Sequence, residues 1–441
     1  MGRFLFTTWP FPGHVHPHLS VAGALRSRGH EVAFYTGTGV SGLVEGEGFE
    51  IFPFRNVDEV PIWKHIQELE ATAPIDRTPL PLVRTVFREW LAGTVRGQAA
   101  DVKRIVGEWR PDVIVTDPMM WGPILLTRES LNIPVAVLAF LIGCPLPGRE
   151  TPPWGLGLPS PRGFRARWLT RAANALSELA AVPLRRELDR VRAEHGLPAM
   201  GCSVNAYSAR LPLYLLPSIS ELDFQRQDLP PSVRYVGPCT WNKPSREPTP
   251  TWLDELPGDR PLIHATEGTA HHQDPFVLKA VARGLAGRAV EVVLTTGGRA
   301  EPSARDLSTL ASNIRVESWV SHDDLLPRCA AFVTTGGAGS VLASLRHGVP
   351  MVIVPTRWDK PDNAQRVVEA GAGLRIAPKR CRPQAIREAV ERVLAEPSFA
   401  ENARRLSRLM ADAGGPPLAA SLLETLLRSS AHRAAPVETS I

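Results

Sequence analysis

Two groups of residues in this sequence have the types and spacing to do chemistry. The first is His14, His16 and His18 in the run Trp9-Pro10-Phe11-Pro12-Gly13-His14-Val15-His16-Pro17-His18. Alternate histidines can ligate a metal, or they can be ordinary residues at a helix entry. A third reading makes one of them a general base, because imidazole titrates near neutrality. His14, beside Gly13 at the crest of the expected loop, is best placed for that role. A base histidine needs a carboxylate to fix its tautomer and steady its charge. Asp117, in Val115-Thr116-Asp117-Pro118, follows a second expected strand and should reach the same sheet edge. Asp112 begins that strand and so belongs to the opposite edge.

The second group lies between Trp319 and Lys360. An aromatic residue is followed there by an apolar strand, the run Gly336-Gly337-Ala338-Gly339, a helix, a second apolar strand and a polar cluster. That order suits a sugar joined to a nucleotide diphosphate. The base needs a flat platform, the diphosphate needs backbone N–H groups at a helix start, and the sugar needs acceptors nearby. The dipole contributes only about 0.3–1 kcal/mol, up to ~2 when partly buried, so charge-assisted hydrogen bonds must supply the rest. Ser340 is the expected N-cap, and Gly348-Val349-Pro350 the stop. Taken alone, the glycines could equally serve tight strand–helix packing. They form neither a phosphate loop ending in Gly-Lys-Ser/Thr nor a full dinucleotide fingerprint, since Leu342 stands where the third glycine would be.

The elements that must position these groups alternate strand and helix. Strands are expected at residues 3–8, 31–36, 112–116 and 134–140, with a helix over 19–28. A second block has strands at 261–265, 290–295, 314–318, 331–335 and 351–355. Such alternation implies two mostly parallel, doubly wound sheets with ligands at the strand carboxyl ends. The expected division is an N-terminal domain over 1–218, a linker over 219–250 and a C-terminal domain over 251–400. Helices over 401–428 should pack back on the first domain, and 429–441 should form a disordered tail. Residues 154–195 read as an arginine-dotted amphipathic helix, packed on its own domain rather than touching a membrane or partner.

Composition narrows the class. The chain has 441 residues, enough for two or three cored domains, with 44% hydrophobic and 22% charged residues as in ordinary globular proteins. A net charge of +5, spread along the chain, suits an anionic ligand and not a nucleic-acid surface. Five dispersed cysteines suggest reduced thiols in a cytoplasmic setting. No apolar run is long enough to cross a membrane and no secretory signal is evident.

Gly13-His14-x-x-Pro17, Leu25-x-x-Arg28-Gly29-His30-Glu31-Val32, Val236-Gly237-Pro238 and the 319–360 box together resemble the UDP-glycosyltransferase family, and within it bacterial enzymes acting on small natural products. The resemblance covers nearly the whole chain. It implies the GT-B fold, two Rossmann-like domains facing across a cleft, with the acceptor on the first and the donor on the second. It further implies inverting transfer from a UDP- or dTDP-sugar to a hydroxyl of a small hydrophobic acceptor, with no cofactor, no metal and no nucleic acid. By resemblance His14 is the base and Asp117 its partner. Trp319 is the platform for the nucleobase, with Val320 and His322 beside it. Thr269, Thr335, Gly337, Ala338, Gly339 and Ser340 surround the diphosphate, and Asp359 and Lys360 meet the sugar.

Departures from the family pattern bear on the donor. Thr335 replaces a histidine and should keep a hydrogen bond to phosphate. His322 and Lys360 replace glutamines, and Lys360 is expected to point to solvent rather than to read a donor carboxylate. Ala343 replaces a glutamate that grips ribose, which favours a deoxynucleotide. Phe11, Met119, Trp121 and Phe140 are the expected acceptor walls, with Trp63, Trp90 and Trp154 as further apolar surface. The chain is expected to be a monomer or homodimer. A silent sugar-nucleotide-binding homologue and a nucleotide-sugar epimerase are the competing functions; the His14–Asp117 pair and the Gly13-His14-x-x-Pro17 motif weigh against them.

Overall fold

The computed structural model describes residues 1–149, 151–241, 250–268, 274–297, 307 and 311–434, with side chains to 427. Apolar, β-branched and aromatic runs such as RFLFT, EVAFYT and VIVT form strands that are buried almost throughout. The first sheet contains β1 (Arg3–Thr7), β2 (Glu31–Thr36), β3 (Glu50–Pro53), β4 (Val113–Thr116), β5 (Val135–Leu138), β6 (Leu213–Leu216) and β7 (Val233–Tyr235). The second contains β8 (Leu262–Thr266), β9 (Glu291–Thr295), β10 (Ile314–Glu317), β11 (Cys329–Thr334), β12 (Met351–Ile353) and β13 (Gly373–Arg375). Their orders are β3-β2-β1-β4-β5-β6-β7 and β10-β9-β8-β11-β12-β13, with every pairing parallel. Each order reverses beside its first strand, between β1 and β4 and between β8 and β11. Chains leaving those two neighbours go to opposite faces and open a crevice.

Successive residues of β1 enter different cores. Leu5 packs with Trp9, Trp90 and Ile114, whereas Phe4 and Phe6 pack with Val15, Leu19 and Leu25 of the helix Pro12–Ser27. Helices therefore cover both faces. In the second sheet Val333 and Phe332 divide in the same way. The two sheets are two Rossmann-like domains of the GT-B kind.

Several elements differ from expectation. The first helix starts at Pro12, not near residue 19, because proline at a helix start has the right φ and no N–H to lose. His14 thus sits in the first helical turn. β7 lies within residues 219–250, so that stretch adds an edge strand to the first sheet before it becomes a connection. The final helix, Gly415–Ala434, continues past residue 428; residues 435–441 lie outside the described ones. Residues 163–194 form two helices, Gly163–Ala180 and Val182–Glu194, and no side chain of the former is buried. It rests on its own domain through small and polar residues, Asn174 donating to the carbonyls of Gly148 and Thr151, while its apolar residues face outward.

Only the last helix returns to the first domain; Pro397–Asp412, expected to do the same beyond residue 401, packs on the second through Ala403, Leu406 and Met410. Ala419, Ala420, Leu423 and Leu426 join the core beside Leu19 and Ala22, and Glu424 accepts from Arg28 at 3.0 Å and meets His30 at 2.9 Å. Leu423→Ala should cost about 2–5 kcal/mol of stability, since it removes a fully buried side chain, whereas Glu424→Gln should cost less than about 1 kcal/mol because its pairs are half exposed. Urea titration of the two variants separates the contributions.

Candidate active site

The N-terminal crevice holds a histidine–carboxylate pair. Thr7 and Thr116 are register partners in β1 and β4, and the Thr7 hydroxyl donates to Thr116 Oγ1 at 2.7 Å. The chain beyond β1 turns into the helix carrying His14, and the first residue beyond β4 is Asp117. His14 Nδ1 meets Asp117 Oδ2 in a short contact; the carboxylate is fully buried and the imidazole is largely so. Asp117 Oδ1 accepts the Met119 N–H at 2.7 Å. With Nδ1–H held by Asp117, His14 Nε2 is the nitrogen left to take a proton. Phe140 stacks on the imidazole at 3.6 Å and Phe11 lies 5.2 Å away. Asp112, at the other end of β4, accepts from the Arg3 N–H at the opposite sheet edge.

The other two histidines go elsewhere. His18 is buried under the pair, its Nδ1 2.7 Å from the His14 carbonyl, and His16 stacks on Trp241 at 4.8 Å. Burial pushes both down to about 4, so both are neutral near pH 7. The three imidazoles point into three environments and do not share a metal site.

The C-terminal crevice lies between β8 and β11. Gly336 takes a left-handed φ of 86°, where a Cβ would strike Ile353. Gly337 and Gly339 face open space. The helix is Ala338–Arg346 with Gly337 as its N-cap, so it begins before Ser340, the expected cap. Its first N–H groups, on Ala338, Gly339 and Ser340, are those a helix cannot satisfy internally. They border the space left by the glycines, which suits an anion. Thr335 gives its proton to the Glu267 carbonyl at 3.0 Å. Instead of reaching a phosphate, it ties the ends of β8 and β11 together. Thr269 lies outside the described residues.

Trp319 is 51% exposed. Val320 is buried among Leu253, Leu262 and Leu325, so only its backbone can reach a ligand. His322 lies against His264 and Phe332, and burial pushes it down to about 4. Ala343 is packed in the core.

Asp359 precedes the helix Lys360–Glu369. Asn363 Nδ2 donates both to Asp359 Oδ2 at 2.8 Å and to the Gly336 carbonyl at 2.9 Å, joining the carboxylate to the glycine turn. Burial raises the Asp359 pKa, while Asn363, Lys360 and His14 of the opposite lobe favour its ionised form. The two sides of the cleft therefore lie within electrostatic reach. Lys360 does not point to solvent as expected. Burial lowers its pKa, and Asp359, Glu267 and Glu70 are the carboxylates that act on it. Trp121 is also displaced from expectation: it is 3% exposed and packs near Phe87 in the core, so it is not a cleft wall. Met119 holds Trp9 through its carbonyl at 2.9 Å.

Residues with no signature in the sequence close the two lobes. Trp358 has a left-handed φ of 64°, a strained state for a bulky residue costing roughly 1–3 kcal/mol. Its Nε1–H donates to Glu70 Oε1 at 2.9 Å, and Arg357 donates to the Glu70 carbonyl at 3.2 Å. Asp362 accepts the N–H groups of Gly155 and Gly157 at 2.7 Å. Arg366 donates to the buried Asp223 at 2.8 Å, which also accepts from Tyr235 at 2.6 Å. Adjacency of Trp358 to Asp359 was the only available hint.

Comparison with known proteins accords with this geometry. The chain is 35% identical over 406 residues to the 4'-demethylrebeccamycin synthase of Lentzea aerocolonigenes, covering 92% of this chain and 94% of that one. The chain belongs to the UDP-glycosyltransferase family. Residues 281–426 match the family model of the erythromycin biosynthesis protein CIII-like C-terminal domain. A second relative of this glycosyltransferase is the demethyllactenocin mycarosyltransferase of Streptomyces fradiae, 26% identical, with 98% of this chain and 88% of that one covered. Among solved structures, the kitacinnamycin glycosyltransferase superposes with a TM-score of 0.74 at 22% identity, covering 97% of this chain and 99% of that one. VinC, solved with dTDP, gives 0.70 at 21% identity, covering 97% and 100%. The protein is a glycosyltransferase of natural-product biosynthesis, and no helix among its described residues is long and apolar enough to cross a membrane.

The neutral, buried histidines set a pH dependence. His16, His18 and His322 have folded values of about 4 against 6.5 for the free group, so the unfolded chain binds more protons between those limits. Their contribution is complete above about pH 6.5 and is lost as the pH falls toward 4. His16→Phe, which keeps the stack on Trp241, should flatten the fall in melting temperature over that window.

Proposed function

We propose that this glycosyltransferase moves a sugar from a dTDP- or UDP-sugar to a hydroxyl of a small hydrophobic natural product, inverting the anomeric centre without a metal. The observation that carries this reading is the His14–Asp117 pair on one lobe facing Asp359 and the glycine turn on the other.

His14 Nε2 takes the acceptor hydroxyl proton while Asp117 steadies the imidazolium through Nδ1–H. The acceptor oxygen attacks the anomeric carbon as the bond from that carbon to the diphosphate oxygen breaks. Attack opposite the leaving group inverts the centre. Negative charge grows on the departing diphosphate, where the N–H groups of Ala338, Gly339 and Ser340 and the helix dipole are already oriented. Asp359 retains an oxygen for sugar hydroxyls beyond its bond from Asn363. Phe140, stacked on His14, and Phe11, tilted beside it, supply apolar surface for a flat acceptor. Trp319, half exposed, is the aromatic residue assigned to the base.

The donor nucleotide follows from what is missing on the glycine-loop helix. Ala343 presents no acceptor for a ribose hydroxyl, so thymidine loses nothing there. Two solved relatives of similar fold carry thymidine diphosphate, which supports the same choice. Thymidine diphosphate should raise the melting temperature more than uridine diphosphate at equal concentration. Equal shifts would remove the basis for the preference.

His14→Ala should lower transfer about 10²–10⁴-fold with nucleotide binding unchanged, as measured by product formation beside calorimetric titration of the diphosphate. A wild-type chain that binds nucleotide sugars yet transfers to no acceptor in a broad aromatic panel would instead support the silent homologue.

A further inference from the structure

Trp358 belongs to the second lobe by sequence and to the first by its contacts. It follows β12 and directly precedes Asp359, the carboxylate assigned to the donor sugar. Its ring packs against the apolar core of the first lobe, the cluster that contains Trp9, Leu82 and Trp90. Both of its N–H donors are taken by that lobe as well. The indole Nε1–H donates to Glu70 Oε1 at 2.9 Å, and the backbone N–H makes a longer bond to Thr78 Oγ1 at 3.4 Å. Glu70 lies in the last turn of the helix Glu59–Thr72, and Thr78 lies just before the short helix Leu80–Arg84.

The neighbours of Trp358 are tied to the same stretch. Arg357 donates through both terminal nitrogens to the Glu70 carbonyl at 3.2 Å. Burial lowers the pKa values of Arg357 and Lys360, and the Glu70 carboxylate opposes that fall in both. Lys379 meets Asp76 at 2.8 Å. Trp358 itself holds a φ of 64°, a left-handed state that a bulky residue keeps only where its surroundings over-determine it. Residues 70–78 of the opposite lobe supply that determination.

We propose that Glu70 is a positioning residue of the first lobe that sets the donor-sugar half of the site through Trp358. Glu70 acts on the site proposed above for glycosyl transfer, and its role rests on that reading. Asp359 follows Trp358 in the chain, so the backbone rotation of residue 358 decides where the Asp359 carboxylate starts. Asn363 then holds one of its oxygens. With Glu70 in place the strained rotation is kept; without it residue 358 relaxes toward an ordinary φ and draws Asp359 away from the sugar. The diphosphate contacts lie on a separate element, the glycine turn and the helix Ala338–Arg346. Glu70 reaches Trp358 only while the lobes are together, so the acceptor lobe completes the place where the donor sugar sits.

Titration calorimetry of the full chain with a panel of dTDP- and UDP-hexoses and with the two free diphosphates tests this, beside the kinetics of donor hydrolysis. Glu70→Ala keeps the backbone carbonyl that Arg357 binds and removes only the side-chain acceptor. It should weaken the best-bound nucleotide sugar about tenfold, the loss expected of a hydrogen bond to a charged acceptor, with the matching diphosphate unchanged. In hydrolysis the donor KM should rise to the same extent with kcat little changed. Trp358→Phe, which keeps a ring but not the N–H, should give the same loss, and the double variant should lose no more than either. Glu70→Gln, whose amide oxygen accepts the indole N–H, should recover most of it. Equal weakening of nucleotide sugar and diphosphate overturns the proposal, because it marks a general opening of the lobes. So do additive losses in the double variant, or a Glu70→Ala chain that loses only melting temperature. A wild-type chain that binds the diphosphates but no nucleotide sugar removes the donor reading itself, and this inference with it.

Discussion

A buried carboxylate fixes which nitrogen of one histidine carries a proton, and the arrangement of the cleft depends on that contact. Asp117 has no exposure to water, so its charge is sustained by two donors, His14 and the Met119 N–H. A charge buried without such partners would be neutralised or expelled. Both partners exist because β1 and β4 are neighbours whose following chains diverge. The first runs into a helix with His14 in its opening turn, and the second delivers Asp117 directly. Moving either residue by one position along its chain would turn the side chain elsewhere.

The second lobe uses the same topology for the opposite electrostatic purpose. There the divergence of β8 and β11 leaves backbone N–H groups, glycines without side chains and one partly buried carboxylate. On the proposed function, one crevice receives a proton and the other an anion. Asn363 joins the carboxylate to the turn, so the proposed sugar and diphosphate contacts would share one frame. The lobes are held by polar contacts that are costly to break only while they remain dry: Arg366 to Asp223, Asp362 to the glycine N–H groups, and Trp358 and Arg357 to Glu70. Ile142, Ile219 and Leu222 also join the apolar core of the second lobe, so polar and apolar contacts together keep the two half-sites in register.

Lys360 shows how a substitution in the pattern changes its neighbourhood. A cation replaces a neutral amide beside Asp359, and Glu267 and Glu70 lie close enough to act on it. Glu267 meanwhile accepts the Val277 N–H at 2.8 Å, at the start of the helix Phe276–Leu285. Arg357 is a second cation in this cluster, and the three carboxylates let the lysine remain in the cleft where solvent had been the expectation.

The sequence by itself determined the two doubly wound sheets, because apolar strand runs alternating with helical periods allow few other folds. It also pointed to His14, Asp117, the glycine turn and Asp359, because each lies in the segment leaving the carboxyl end of a strand, although only Asp117 follows its strand directly. The short strands β3, β6, β7 and β13, all but β6 at a sheet edge, were not legible, since three or four residues carry too little periodicity. Only the tertiary structure decided that Thr335 binds Glu267, that Trp121 belongs to the core and that Lys360 turns inward, because each outcome depends on partners distant in the chain. The left-handed Trp358 and its bond to Glu70 were likewise hidden, as was the outward face of Gly163–Ala180. Periodicity shows that a helix has an apolar side, but only the packing of its neighbours determines which way that side turns.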